Sequence, residues 1–236
     1  MEPVGEARTR PSDPDELRRV ADEGLLLGEL DEAFHPPAGA VPRAPVVALV
    51  GSAGGIEAVS RVLGGLPEDF GAAVVVLVHL APERVSRLAE ILRRRCRLPV
   101  VDAVDGLPLW PGAVLVAPAG RHVLVTPDGA VALIQSGEFP PSRPSADLLL
   151  ATLATAVRRR AVAVILSGGG HDGATGATAV HALGGTVLAT DEATSERWEM
   201  PRAAIERDAI VDRVVALEDV AGALLEVVAA RVRASA

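Results

Sequence analysis

Short Val-rich runs alternate with helical stretches along most of the sequence, and this alternation limits the possible folds more than any other feature. The runs lie at 46–50, 72–80, 160–170 and 185–190, and a helical segment follows each of them. The first two are apolar on both faces, as in strands of a parallel sheet that helices cover on both sides. The pattern predicts an α/β fold, doubly wound, with a mostly parallel sheet and helices on both faces.

A different pattern occupies residues 112–135, between the second and third of these units. Pro127, Asp128 and Gly129 form a turn signal there, with an alternating run on either side. Two alternating runs joined by a short turn predict an antiparallel hairpin. We therefore expect a hairpin that is inserted into the parallel sheet or lies at its edge.

The N-terminal segment differs in composition from the rest of the chain. Residues 1–44 hold ten acidic residues and five Arg. Apolar residues at helical spacing predict a helix within 14–34, and the Pro-rich stretch 35–45 reads as a linker. The sequence thus predicts an acidic leader at 1–44 and one folded domain at 45–236.

Charge and cysteine content exclude several classes of protein. The net charge is −8, all 23 basic residues are Arg, and such an acidic balance speaks against a general nucleic-acid binder. The lone Cys96 can form no internal disulfide, which fits a reducing compartment. Neither a signal peptide nor an apolar stretch of membrane-spanning length is present, so we expect a cytoplasmic protein without membrane insertion.

Three polar residues, Ser52, His79 and Asp172, stand directly after three of the predicted strands. Ligand sites in such sheets lie outside the carboxyl ends of the strands. A hydroxyl, an imidazole and a carboxylate at one edge could act as nucleophile, general base and orienting group. Each also has a structural alternative: Ser52 and Asp172 are good helix caps, and His79 suits a hydrogen-bonded structural role.

Glycine-rich turns surround two of these residues, at 50–55 and 167–176. A Gly-rich turn between a strand and a helix is also typical of nucleotide binding. The first turn does not match the G-x-G-x-x-G pattern, and His79 stands where a dinucleotide site usually has an acid. Nucleotide binding is therefore the weaker alternative.

Three motifs resemble those of the chemotaxis receptor methylesterases, the CheB family, in their catalytic domain. They are GSAGGIEAV at 51–59, VHLAP at 78–82 and LSGGGHDGATG at 166–176, and the resemblance extends from about 46 to 228. The family hydrolyses methyl esters of glutamate on chemoreceptor helices, and some members deamidate glutamine. The resemblance implies the same reaction here, with a methylated chemoreceptor or similar helical signalling protein as partner and with no metal or organic cofactor.

By this resemblance, Ser52 is the nucleophile, His79 the general acid and base, and Asp172 the orienting carboxylate. The oxyanion of an acyl-transfer intermediate needs backbone N–H donors. The positions of Ala53 and Gly169 make their N–H groups the candidates.

Four further residues match family segments and are candidates for substrate binding: Arg121, His122, Arg143 and Met200. An Arg could pair with acidic groups around a target glutamate. The alternatives are surface charge on the hairpin for Arg121 and His122, a helix cap at Ser145 for the segment that contains Arg143, and a core position for Met200.

Two departures from the family pattern leave a second function open. Val50 stands where the family turn has Gly, and Gly169 replaces the usual Met. A regulatory or interaction module that is catalytically weak or silent is the alternative that these departures favour. Full-length family members begin with a phosphorylatable receiver domain, for which 44 residues are too few, so the regulator is not identified.

Overall fold

The structure is a computed structural model that describes residues 44–80, 86–135 and 142–235. The leader helix predicted within 14–34 lies outside the described residues. The predicted linker does so too, except at its last two residues.

The described part of the chain contains nine strands and six α-helices. The strands are β1 (Val46–Gly51), β2 (Ala73–Val78), β3 (Val100–Asp102), β4 (Val114–Val116), β5 (His122–Val125), β6 (Val131–Ile134), β7 (Ala161–Ile165), β8 (Thr186–Thr190) and β9 (Arg213–Val215). The helices are α1 (Gly55–Gly64), α2 (Leu88–Arg93), α3 (Ala146–Val157), α4 (Ala174–Ala182), α5 (Glu199–Ile205) and α6 (Val220–Ser235).

Seven strands form one parallel sheet in the order β3-β4-β2-β1-β7-β8-β9. The chain builds outward from β1 to one side first, and it returns to the other side of β1 with β7. This reversal of direction creates the crevice in which open α/β sheets bind ligands. The predicted fold class is confirmed, including the mostly parallel sheet.

The central strands are buried on both faces, as their sequence predicts. Alternate residues of β1 point to opposite sides, so Val46, Ala48 and Val50 join one apolar cluster while Val47 and Leu49 join the other. The first cluster also contains residues of α3, α4 and α5, and the second contains residues of α1, α2 and α6. Burial of both faces explains why these runs show no polar alternation.

The hairpin prediction is confirmed for part of the segment 112–135. β5 and β6 pair antiparallel around a turn in which the hydroxyl of Thr126 bonds to Ala130. The earlier part of the segment differs, because β4 pairs in parallel with both β2 and β3 and so belongs to the main sheet. A three-residue strand is too short to show a pattern of its own, which is why the sequence did not separate it from the hairpin.

Among the described helices, none combines the length and the apolar character that crossing a membrane requires.

Candidate active site

Ser52 lies in the tight turn that joins β1 to α1. Its backbone N–H donates to the carbonyl of Ser167 at 2.9 Å, and its own carbonyl accepts from the N–H of Gly55 at 2.8 Å. Gly54 adopts φ 75°, and a Cβ atom there would lie 2.6 Å from Oγ of Ser167, so the turn requires glycine at this position. Gly54 is also the N-cap of α1, with no side-chain cap bond, so the alternative in which Ser52 caps the helix is wrong.

His79 follows β2 at the same level of the sheet as Ser52. Gly51 and Val78 are partners in the parallel register, and the N–H of His79 donates to the carbonyl of Gly51 at 3.0 Å. Ser52 and His79 are therefore the residues directly after two paired residues, on strands about 4.8 Å apart. The structure thus brings the predicted hydroxyl and imidazole to adjacent positions at the carboxyl edge.

Asp172 lies beside His79, in the loop between β7 and α4. Nε2 of His79 is 2.8 Å from Oδ2 of Asp172, and the two side chains are only 16% and 14% exposed. This pairing fixes which ring nitrogen of His79 faces the carboxylate. Two roles of His79 require this bond. One is the structural alternative, a hydrogen-bonded residue at a strand end, and the other is the proposed catalytic role.

The carboxylate of Asp172 is held by four hydrogen bonds. Besides His79, it accepts from the backbone N–H of Ala146 at 2.7 Å, from that of Asp147 at 3.0 Å and from the hydroxyl of Ser145 at 3.0 Å. Burial alone raises the pKa of Asp172, but the bonds from His79, Asp147 and Ala146 outweigh it, and the pKa is lowered overall. The side chain is therefore a stable carboxylate at neutral pH.

The alternative role of Asp172 as a helix N-cap is wrong. The helix that follows it, α4, has Gly173 as its N-cap and no side-chain cap bond. Asp172 instead binds N–H groups at the start of α3, which are far from it in sequence. The carboxylate of Asp172 thus bonds both to His79 and to the first N–H groups of α3.

Ser145 is the N-cap of α3, as the alternative for the segment around Arg143 predicted. Its hydroxyl accepts from the N–H of Leu148 at 3.4 Å and donates to Asp172. Its backbone N–H donates to Nδ1 of His122 at 3.1 Å. Ser145 therefore connects the carboxylate of the site to the hairpin.

His122 is fully buried at the start of β5, behind Ser145, so it does not lie on the surface of the hairpin. Burial lowers the pKa of His122, and the charge of Arg143 lowers it further against the opposing effect of Asp172. The ring is therefore neutral at pH 7, and its Nδ1 is the acceptor for Ser145. The structure places His122 among the supports of the site, while Arg121 beside it is exposed.

Met200, at the start of α5, is buried in an apolar cluster, which agrees with its core alternative. Its N–H donates to the carbonyl of Gly168 at 2.9 Å. A Cβ atom on Gly168 would lie 2.2 Å from Sδ of Met200 and 3.0 Å from Cβ of Ser52. The close approach of these two side chains therefore depends on glycine at 168.

The two candidate oxyanion donors, Ala53 and Gly169, are both exposed. Within the described residues, neither backbone N–H donates to a backbone carbonyl. A Cβ atom on Gly169 would meet no atom within 4 Å, so the loop faces open space at this point. Val50, which differs from the family pattern, lies inside β1 with its side chain in the core.

Ser167 is a residue of the site that sequence reasoning missed. Its buried hydroxyl donates to the carbonyl of Ala53 at 2.8 Å and accepts from the N–H of Arg197 at 2.9 Å. It thereby ties the turn that carries Ser52 to the loop before α5. The only signal in the sequence is a polar residue at the end of an apolar run, one place before three glycines.

Across residues 44–80, 86–135 and 142–235, no group of three or more His, Cys, Asp or Glu side chains has a geometry that could hold a metal ion. The groups that the site presents are the Ser52 hydroxyl, the His79 imidazole and the Asp172 carboxylate. Together with exposed backbone N–H groups, they suit acyl transfer.

The chain is similar to known proteins in sequence and in fold. The description of the family model that matches residues 47–224 is CheB methylesterase. A protein-glutamate methylesterase/protein-glutamine glutaminase of Anaeromyxobacter dehalogenans is 42% identical over 184 residues, which are 78% of this chain and 53% of that protein. A protein of the same name from Pseudomonas aeruginosa is 40% identical over 221 residues, 91% of this chain and 62% of that protein.

The chain thus spans between about half and two thirds of the length of these curated relatives. Among solved structures, the Thermotoga maritima CheB methylesterase catalytic domain aligns with a TM-score of 0.74 and 32% sequence identity. That alignment covers 78% of this chain and 99% of the solved one. On the matched sequence, the shared fold and the three motifs at one edge of the sheet, the chain belongs to the CheB methylesterase family.

Proposed function

We propose that this chain is a serine hydrolase that removes the methyl ester from glutamate side chains of chemoreceptor-like proteins. The observation that carries the proposal is the 2.8 Å contact between His79 and Asp172, at the strand end next to Ser52. The names of the curated relatives support the substrate class, because they describe methylesterases that act on protein glutamate.

The reaction begins when Oγ of Ser52 attacks the ester carbonyl carbon. Because Nε2 of His79 faces Asp172, Nδ1 is the ring nitrogen that accepts the serine proton. The tetrahedral intermediate then collapses: the bond to the methoxy oxygen breaks, His79 returns the proton to that oxygen, and methanol leaves. Ser52 remains esterified by the glutamyl side chain.

Water completes the cycle. His79 takes a proton from the water molecule as the water oxygen attacks the acyl carbon, and the bond to Oγ of Ser52 then breaks as that oxygen regains the proton. One ester and one water thus give one methanol and one glutamate carboxylic acid, which ionises. Asp172 stays ionised throughout because its pKa is lowered, and its charge stabilises the imidazolium form of His79.

Negative charge on the carbonyl oxygen needs donors in both tetrahedral intermediates. We assign this role to the backbone N–H groups of Ala53 and Gly169, two exposed residues in the loops that follow β1 and β7. The loss of one such donor typically costs about 100- to 1000-fold in rate.

The same site is suited to glutamine deamidation. Attack by Ser52 on the side-chain amide leads to the same acyl-enzyme, and ammonia leaves instead of methanol after it takes the proton from His79. The names of the relatives include this second activity. For recognition of the target helix, exposed Arg121 is the candidate that pairs with acidic groups near the modified glutamate.

Active-site labelling with a fluorophosphonate tests the proposal. We expect an adduct on Ser52, located by mass spectrometry, that is lost in Ser52→Ala and His79→Ala. Ser60→Ala is the matched control, because the Ser60 hydroxyl is bonded to the carbonyl of Ile56 within α1. Methanol release from a methylated receptor fragment should show the same dependence on Ser52.

Two results would count against the proposal. A folded protein that gives no adduct on Ser52 would favour the silent module, and an adduct that survives His79→Ala would mean that His79 does not activate the serine.

A further inference from the structure

We propose that Asp147 is a positioning residue for the site formed by Ser52, His79 and Asp172. The inference rests on the proposed hydrolase function, because Asp147 acts here by orienting the carboxylate that supports His79. Asp147 lies in the first turn of α3, and Asp172 lies two residues before α4. The proposal follows from how these two helix starts are joined.

Helix α3 holds Asp172. The first N–H groups of a helix have no partner within the helix, and the backbone N–H groups of Ala146 and Asp147 donate to the carboxylate of Asp172 at 2.7 and 3.0 Å. The positive end of the helix dipole also favours a carboxylate there. Asp172 thus provides hydrogen-bond acceptors for the first N–H groups of α3, although it lies outside that helix.

Helix α4 holds Asp147 in the same way. Oδ1 of Asp147 accepts from the N–H of Gly173 at 2.9 Å and from the N–H of Gly176 at 2.8 Å. Gly173 is the N-cap of α4 and has no side chain with which to cap it. The two helices therefore exchange carboxylates: Asp172 accepts from N–H groups at the start of α3, and Asp147 accepts from N–H groups at the start of α4.

This exchange fixes the direction of the Asp172 side chain. Gly173 follows Asp172 directly and has φ 103°, a conformation that is open to glycine and that leaves the backbone easy to turn. The bond from the Gly173 N–H to Asp147 immobilises the peptide that joins residues 172 and 173. Without that bond, the peptide after Asp172 loses a restraint on its orientation, and the carboxylate is held only by its own hydrogen bonds.

Helices α3 and α4 lie so close together that the Asp147 side chain can reach the start of α4. A Cβ atom on Gly176 would lie 2.6 Å from Cβ of Leu150 and 2.8 Å from the carbonyl oxygen of Asp147. The backbones of α3 and α4 are thus in contact, and the short side chain of Asp147 reaches two N–H groups with one oxygen. Both bonds are made while the carboxylate is anchored at the helix start that also holds Asp172.

The experiment compares three variants of the full chain. Asp147→Ala removes the acceptor, and Asp147→Asn keeps an oxygen that can accept both bonds. Asp212→Ala is the matched control, because the Asp212 carboxylate also accepts a backbone N–H, that of Val187 at 2.7 Å, but near the opposite end of the strands. The readouts are kcat and KM for methyl-ester hydrolysis and the low-field proton NMR signal of the His79 ring N–H bonded to Asp172.

We expect Asp147→Ala to lower kcat by about 10- to 100-fold, since a displacement of about 1 Å in an active site has effects of this size. KM should stay within about twofold, because the Asp147 carboxylate is already bonded to the N–H groups of Gly173 and Gly176. The His79 signal should weaken or disappear in the same variant. Asp147→Asn should restore most of kcat and the signal, and Asp212→Ala should leave both unchanged.

The proposal is overturned if Asp147→Ala folds and has the same kcat and His79 signal as the unchanged chain. It is also overturned if Asp147→Asn is as slow as Asp147→Ala. If Asp147→Ala does not fold, amide hydrogen exchange of the unchanged chain decides. Slow exchange at Gly173 and Gly176 supports the proposal, and exchange as fast as at exposed Gly169 overturns it.

Failure of the proposed function has a different signature. In that case the unchanged chain neither hydrolyses the ester nor takes the fluorophosphonate at Ser52. The NMR signal of His79 still reports whether Asp147 orients Asp172, so the two failures are separable.

Discussion

Single atoms decide the geometry at the nucleophile, and Gly168 is the clearest case. Because Gly168 has no side chain, both Met200 and Ser52 can lie close to its Cα atom. Packing of this density leaves no room for an added methyl group without a shift of one neighbour. The orientation of Ser52 is therefore sensitive to a residue with no chemistry of its own.

Gly168→Ala is expected to slow fluorophosphonate labelling of Ser52 by at least about tenfold and to destabilise the fold by about 1–3 kcal/mol, because the new Cβ collides with Met200. Gly71→Ala is the control, since a Cβ there meets its nearest atoms only at 3.9 and 4.0 Å. Labelling rates and urea unfolding check both variants. Equal labelling rates in the two would show that Ser52 does not depend on this contact.

The stability of the fold is expected to fall below about pH 6.5 because of His122. Burial lowers its pKa from the ordinary value of 6.5, and Nδ1 can accept from Ser145 only while it is unprotonated. The unfolded chain therefore binds a proton more readily than the folded one. The stabilisation is present above this pH and is lost as the pH falls through and below it, by at most about 1.4 kcal/mol per pH unit.

Urea unfolding between about pH 5 and pH 8 measures this effect in the unchanged chain and in His122→Gln. The variant cannot titrate at this position, so its stability should depend less on pH in this range. Identical pH dependence in both proteins would contradict the assignment. The lowered pKa of Asp172 acts in a separate range, at and below about pH 4, where its protonation removes stability.

At the scale of elements, the site depends on α3 and α4 as a pair. Each helix starts with a carboxylate from the other, and Gly176 lets their backbones touch. Ordinary helix propensity disfavours glycine inside a helix by about 1 kcal/mol. Gly176 therefore permits the contact between the helices, at a cost in the helix propensity of α4.

Gly176→Ala is expected to destabilise the protein by about 1–3 kcal/mol, because overpacking against Leu150 exceeds the gain of about 1 kcal/mol in helix propensity. Gly222→Ala in α6 is the matched control, since a Cβ there meets nothing within 4 Å. That variant should be neutral or more stable. Thermal unfolding of both proteins measures the difference, and a stabilised Gly176→Ala would show that the two helices can separate at little cost.

For the whole molecule, the sheet order places the three proposed catalytic residues on its central strands. Ser52, His79 and Asp172 follow β1, β2 and β7, which are neighbours in the order β2-β1-β7. β1 has a partner strand on each side and is buried along its whole length. The geometry of the site therefore depends on the central strands that also form the core of the domain.

A chain that begins at Ala44 is expected to unfold within about 2 °C of the full chain, because it keeps all the described strands, helices and core residues. A chain that begins at Leu49 loses half of β1, including residues paired with both β2 and β7, and is not expected to fold. Circular dichroism and thermal melts distinguish the two. A shorter chain from Ala44 that fails to fold would show that residues before it contribute to the core.

The fold class and the proximity of Ser52, His79 and Asp172 could both be predicted from the pattern of the strands. Long strands that are buried on both faces have a strong apolar pattern, and the residues that follow parallel strands share one edge. The three-residue strands β3 and β4 carry too little pattern to be recognised separately.

The supports of the site could not be predicted because they depend on contacts between distant segments. Ser167 bonds to Ala53, 114 residues earlier in the chain, and Asp147 bonds to N–H groups 26 and 29 residues later. His122 looks like a polar residue of an exposed hairpin, yet the hairpin packs beside α3 and buries it. Apart from the apolar run before Ser167, nothing local to these positions distinguishes them from surface residues.

The return of the chain to β7 beside β1 has a consequence for synthesis on the ribosome. His79 and Asp172 are separated by 93 residues, so a nascent chain that has completed β1 and β2 already carries the serine and the imidazole but lacks the carboxylate. Domains fold as units during translation, at roughly 5–20 residues per second. The three proposed catalytic groups therefore come together only after the segment that runs from β7 into α4 has emerged and the domain can fold as a unit.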